Sequence, residues 1–106
     1  MEQLSEKKIE KAVLAGLSAD IFTKEQNATQ QSLDELEALL ETAGGQCVGK
    51  LLQSRPAPDP HSFVGEGKAE ELRQMVEGSG ATMVVFDNEL SPSQIRALEE
   101  ITHAHV

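Results

Sequence analysis

At 106 residues the chain is long enough for one domain with a single core. It has no Trp or Tyr and only Phe22, Phe63 and Phe86, so the core is mainly aliphatic, and reading single-stranded nucleic acid by stacking bases on a row of aromatics is disfavoured. Eighteen acidic against nine basic side chains give a net charge of −9, which favours solubility and opposes non-specific binding to phosphates over most of the surface.

The chain starts MEQLSEKKIEK, with residues 1–10 polar and expected to fray. This start lacks the apolar stretch of a signal peptide, and no apolar run approaches the roughly 20 residues of a membrane span, so a cytoplasmic protein with no membrane partner is expected. Ala12–Leu17 (AVLAGL) is short, apolar and bounded by polar residues, which reads as a buried strand. Residues 18–31 read as a loop. A helix is predicted from Ser32, whose capping-box partner is Glu35. Leu33, Leu36, Leu39, Leu40 and Ala43 form its apolar face, and Gly44-Gly45 offers the left-handed turn that ends it. Cys47–Leu52 is a second strand candidate. Cys47 is the only cysteine, so it forms no intrachain disulfide, fits a reducing compartment and reads as a small core residue.

Pro56, Pro58 and Pro60 alternate within five residues and predict a stiff, extended loop, with Phe63-Val64 anchoring it to the core. A second helix is expected from Lys68 to Glu77, with Leu72, Met75 and Val76 inward and Gly78 and Gly80 closing it. Thr82–Phe86 (TMVVF) is the clearest strand. Ser91 then caps a third helix, with Pro92 at its first position, Gln94 completing the box, and Ile95, Leu98 and Ile101 buried. The final HAHV reads as the approach to another strand. Alternation of strands and helices predicts an α/β fold: a mostly parallel, three- to four-stranded sheet with helices packed on it, in two or three layers, joined by right-handed crossovers. Val13, Leu14, Val48, Leu51, Val84 and Val85 are the expected sheet core. Leu36, Leu40, Leu72, Val76, Ile95 and Leu98 are expected to cover it.

No catalytic constellation emerges. Gly65-Glu66-Gly67-Lys68 precedes a helix, so backbone N–H groups, the helix dipole and Lys68 offer one reading as a phosphate cradle. The phosphate-loop motif needs four residues between its glycines and a Ser or Thr after the lysine; here one residue intervenes and Ala69 follows. The dinucleotide pattern needs a third glycine where Glu70 stands. The plainer reading is a tight turn and helix start. Asp87 and Glu89 follow a strand end and offer two hard oxygens to Mg²⁺; alternatively they belong to a solvated loop before the Ser91 cap. A receiver-like phosphoacceptor at Asp87 lacks the acidic pair after the first strand, where Ser18, Ala19 and Asp20 stand. His61, His103, His105 and Cys47 show no zinc spacing, and no G-x-S-x-G elbow occurs. Residues 46–68 carry Lys50, Arg55 and Lys68 against Asp59 and Glu66, a balance of +1 that leaves −10 for the rest. Those three cations are the candidates for contact with RNA.

Three segments together, SLDELEALLETAGGQCVGKLLQSRPAPDP, FVGEGKAEEL and VVFDNELSPSQIRALEE, resemble the N-terminal domain of the HflX-type GTPases. They occupy most of residues 32–100. The resemblance implies that residues 11–106 form an N-terminal α/β subdomain of a larger, ribosome-associated GTPase. Its helical hairpin and GTPase domain, which use GTP and Mg²⁺, would lie beyond Val106. It further implies a partner in the large ribosomal subunit, contacts to the protein's own helical and GTPase domains, and influence on that GTPase domain. The fragment itself would be non-catalytic and hold no cofactor. ATP binding is ascribed to N-terminal regions of this family, but no residue here is matched to it. The alternative is a stand-alone nucleotide- or phosphate-binding α/β domain that uses Gly65, Gly67 and Lys68.

Overall fold

The computed structural model describes residues 9–106. The expectation of a frayed start at residues 1–10 therefore lies, for residues 1–8, outside the described residues; Ile9 and Glu10 are exposed. The elements are β1 (Lys11–Ala19), α1 (Gln30–Thr42), β2 (Gln46–Arg55), α2 (Glu66–Ser79), β3 (Met83–Phe86) and α3 (Pro92–Thr102). All three strands are parallel, in the order β2-β1-β3.

This order dictates the layers. One crossover steps outward from β1 to β2, and the next steps back past β1 to β3. With a fixed right hand, opposite steps put their helices on opposite faces. Val13, Ala15, Leu17 and Ala19 of β1 accordingly pack with Leu72 and Val76 of α2 and Leu98 of α3. Ala12 and Leu14 point the other way, against Leu33 of α1. The molecule has three layers, α2/α3, sheet and α1. β1 lies in the middle with both faces covered, so it reads as a nearly unbroken apolar run.

Strand and helix limits shift in informative ways. α1 starts two residues before the expected cap. Thr29 is the N-cap: Ser32 N donates to Thr29 Oγ1 (3.0 Å), and Thr29 N donates to Ser32 Oγ (2.8 Å). Ser32 is thus the third residue of the helix, and Glu35 lies beyond the box. Leu39, placed on the buried face from sequence, is 67% exposed. α1 packs on β1 and β2, and Leu39 lies on the flank away from β2. Gly44 closes α1 at φ 95°, as the glycine pair predicts. β2 runs on to Arg55, with a register shift that leaves Val48 as an extra residue between the Ala12–Cys47 and Val13–Gly49 pairs. Cys47 is half-buried and packs with the α1-side core.

α2 is longer than expected at both ends. Gly65 is its N-cap, so Glu66, Gly67 and Lys68 form its first turn. Gly78 lies inside the helix, and Gly80 (φ 75°) ends it, its N–H bonding to Val76 O at 3.0 Å. The proline segment is not extended throughout. Asp59 Oδ1 accepts from the N–H groups of His61 (2.8 Å) and Ser62 (3.1 Å), and Asp59 and Phe63 exchange backbone bonds of 2.8 and 2.9 Å. This closes a turn that outweighs the local stiffness of proline. Phe63 and Val64 are buried, as an anchor requires.

β3 and the start of α3 follow the sequence closely, but of the expected stripe only Leu98 is fully buried: Ile101 is half-buried against the core, and Ile95 is half-buried and outside it. Ser91 and Gln94 form the capping box, with Pro92 opening the helix. Past α3, His105 pairs in parallel with Met83 on the outer edge of β3. Among the described residues, no helix is long and apolar enough to cross a membrane.

Candidate functional site

Parallel strands deliver their carboxyl ends, and the loops that follow, to one end of the sheet. Here the loops after β1 (20–29), β2 (56–65) and β3 (87–91) meet. The molecule's three aromatic rings gather with them. Phe63 stacks on Phe22 with centroids 6.4 Å apart and meets Phe86 edge-on at 5.8 Å. Phe63 is held at φ 67°, a left-handed conformation uncommon outside glycine.

Asn88 fastens two of these loops. Its Oδ1 accepts from Leu17 N at 2.8 Å, and its Nδ2 donates to Leu17 O and Gln26 O, each at 3.0 Å. The side-chain amide thus takes over the pairing with β1 where the backbone of β3 leaves off. Asn27 adds a bond from Ala19 N at 2.8 Å. Sequence reasoning attended to the carboxylates of Asp87-Asn88-Glu89 and missed the amide between them. The available signal was that an amide is the one side-chain group able to donate and accept like a peptide.

Beside Asn88 lies a crevice of about 380 Å³ lined by Phe22, Glu25, Gln26, Phe86, Asp87, Asn88 and Glu89. It sits between the ends of β1 and β3, where the strand order reverses. Asp87 is half-buried, with its N–H bonded to Ala15 O (2.9 Å); Glu89 is exposed. The structure brings these two metal candidates to one rim. Among the described residues, no cluster of three or more His, Cys, Asp or Glu side chains is close enough to hold a metal. His61, His103 and His105 are all exposed, and His103 serves as the left-handed cap of α3.

The phosphate candidates Gly65, Gly67 and Lys68 lie at the start of α2 on the α2/α3 side. Gly65 N donates to Gln53 Oε1 at 2.9 Å. A Cβ on Gly65 would stand 2.5 Å from Arg55 Nη1, so the missing side chain makes room for the guanidinium. Arg55 Nε donates to Ala57 O at 3.0 Å. Lys68 pairs with Glu71 at 3.1 Å, and Glu66 places a carboxylate in the helix's first turn, the end that favours anions.

The RNA-contact candidates divide between two faces. Arg55 and Lys68 flank the start of α2. Lys50 points the other way, to α1, and binds Asp34 (2.8 Å) and Glu37 (2.5 Å). Lys50 and then Gln30 hold the Asp34 carboxyl below its usual value, and the two carboxylates push the Lys50 ammonium up. In the turn after β2, the N–H groups of Ser62 and His61 hold Asp59 below the ordinary carboxylate range. On α2, Arg73 bonds Glu70 and Glu77, which lowers the Glu70 carboxyl, and this ladder leaves the helix's outer face acidic.

The fold defines a three-layer α/β domain whose loops meet at the carboxyl end of a three-stranded parallel sheet. Residues 30–106 match the family described as GTP-binding GTPase N-terminal. The chain is 40% identical over 97 residues to a protein named GTPase HflX from Escherichia coli K12, covering 92% of this chain and 22% of that protein. It is 36% identical over 98 residues to GTPase HflX of Alkalihalophilus pseudofirmus, with the same two shares. With GTPase HflX of Thermofilum pendens it shares 42% identity over 74 residues, 70% of this chain and 18% of that protein. The chain belongs to the family of HflX N-terminal domains. It spans about a fifth of the length of these curated relatives.

Proposed function

We propose that this chain is the non-catalytic N-terminal module of an HflX-type GTP-binding protein, one that associates with the large ribosomal subunit and modulates the neighbouring GTPase domain. The observation that carries this reading is the match of nearly the whole chain to about a fifth of proteins named as GTPases. On this reading residues 11–106 are the N-terminal α/β subdomain of a cytoplasmic protein. A helical hairpin and a GTPase domain follow it, and GTP and Mg²⁺ belong to that GTPase domain. The sequence supports a non-catalytic role, since it carries no phosphate-loop motif. The acidic rim of the crevice and the carboxylate of Glu66 also disfavour triphosphate at the carboxyl end of the sheet.

A second reading, a phosphate- or nucleotide-binding domain, draws on one observation: Arg55 and Lys68 flank the start of a 14-residue helix whose Gly67 is exposed. Two measurements separate the readings. The 106-residue chain is mixed with ATP or GTP, and phosphate release is followed over many turnovers. The longer protein, with and without residues 1–106, is pelleted with large ribosomal subunits and assayed for GTP hydrolysis. The expected results are no turnover by the chain alone, and altered subunit binding and hydrolysis when it is removed. Turnover that disappears in Lys68→Ala, or a longer protein indifferent to losing the domain, would sink the proposal.

A further inference from the structure

The crevice between the β1–α1 and β3–α3 loops combines features that select a ligand. Its walls include the rings of Phe22 and Phe86, and its rim carries Glu25, Asp87 and Glu89. None of these three carboxylates has a cationic partner among the described residues. Several donors beside them are already engaged. Both amide hydrogens of Asn88 go to Leu17 O and Gln26 O, and Asp87 N–H goes to Ala15 O. Such a slot repels phosphate through its carboxylates. What it offers is aromatic rings beside carboxylate acceptors spaced along its rim. A planar guanidinium suits both, since it stacks on rings and forks onto carboxylates. Ile21, next to Phe22 in the same loop, is 69% exposed.

From this complementarity of charge and shape we infer that the crevice seats an arginine side chain presented by a protein partner. RNA is the wrong partner for this face, because its phosphates would meet the three carboxylates. The surface is separate from the start of α2, where Arg55 and Lys68 lie, so the domain has an acidic docking face and a basic one at different loops. A single exposed arginine gives weak binding, and tethering or neighbouring contacts would raise it.

The test is an amide NMR titration of the 106-residue chain with a capped hexapeptide carrying two arginines and two leucines. Its control is the same peptide with citrulline, which keeps the shape of arginine and loses the charge. Signals of Phe22, Gln26, Phe86 and Asn88 are expected to shift with the arginine peptide, and the citrulline peptide should bind about tenfold more weakly or worse. Asp87→Asn with Glu89→Gln should weaken the arginine peptide by a similar factor, about tenfold, with an unchanged melting midpoint. Glu70→Gln with Glu71→Gln, on the outer face of α2, should leave binding as it was. Equal binding of the two peptides would overturn the inference. So would shifts centred on α2, or a single-stranded RNA oligonucleotide that moves the same amides.

Discussion

Asn88 and Asp59 each use one polar side chain to fix a loop, and each can be tested by a one-atom change. Asn88→Ala would leave the N–H of Leu17, a residue with no exposed surface, without its partner and take one of two bonds from its C=O, which keeps the Ala28 N–H. Leaving such a group unpaired costs about 1–3 kcal/mol, measurable by urea unfolding. Asn88→Asp should be at least as costly, since it loses both donated bonds and places a charge between Asp87 and Glu89. Wild-type stability in both variants would show that the loops hold without this amide. Asp59 is lowered in the folded state chiefly by the N–H groups of Ser62 and His61. A carboxyl depressed by folding contributes stability above its unfolded value, near 4, and loses it as pH falls through the lower folded value. Asp59→Asn keeps the accepting oxygen without titrating. The stability difference between wild type and this variant should therefore change only in acid, and a difference that stays constant from pH 7 to pH 2 would exclude this role.

At the level of elements, local signals were legible where the chemistry was local. Ser91-Pro92-Ser93-Gln94 names its own helix start, and Thr82–Phe86 is β-branched and apolar enough to be a strand on sight. The start of α1 was not, because Thr29-x-x-Ser32 and Ser32-x-x-Glu35 offer competing boxes. Ala28 decides between them: it is buried and tied by its N–H to Leu17 O, which sets the turn one residue later. Thr29→Ala should thus destabilise by about 1 kcal/mol. Glu35→Ala should have little effect, and the reverse ranking in thermal melts would restore the Ser32 cap. The outer half of β2 hid because Gln53, Ser54 and Arg55 are polar, which an edge strand tolerates. Val84 lies in β3 at 1% exposure. Val84→Asp should cost several kcal/mol by burying a charge, with loss of the cooperative melt as the readout.

Over the whole molecule, the candidate surfaces depended on distances the sequence does not display. The crevice joins residues 22–26 to residues 86–89, and Asn88 reaches a carbonyl 62 positions away in the chain. The split of the basic segment follows from β2 running on to Arg55. Side chains alternate along a strand, so an odd spacing of five puts Lys50 and Arg55 on opposite faces. If the longer protein meets ribosomal RNA through this domain, Arg55 and Lys68 should carry the contact, while Lys50 serves α1. Arg55→Glu with Lys68→Glu is expected to weaken subunit binding and to flatten its salt dependence by roughly two counterions' worth. Lys50→Glu should instead show up in stability. The same loss of binding from Lys50→Glu alone, in a variant that melts normally, would place the RNA on the α1 side.

The position of β1 bears on how the chain is made. β1 precedes the other two described strands in the chain and is the middle strand of the sheet, bonded to β2 on one edge and β3 on the other. Each later strand therefore emerges to find its partner already complete, and none has to wait for a segment still to come. α1 can close over β1 and β2 before α2 exists, and α2 and α3 then seal the opposite face in turn. Growth of the sheet outward from β1 suits folding during translation, when the carboxyl-terminal remainder of the chain is not yet there to compete for the open edge.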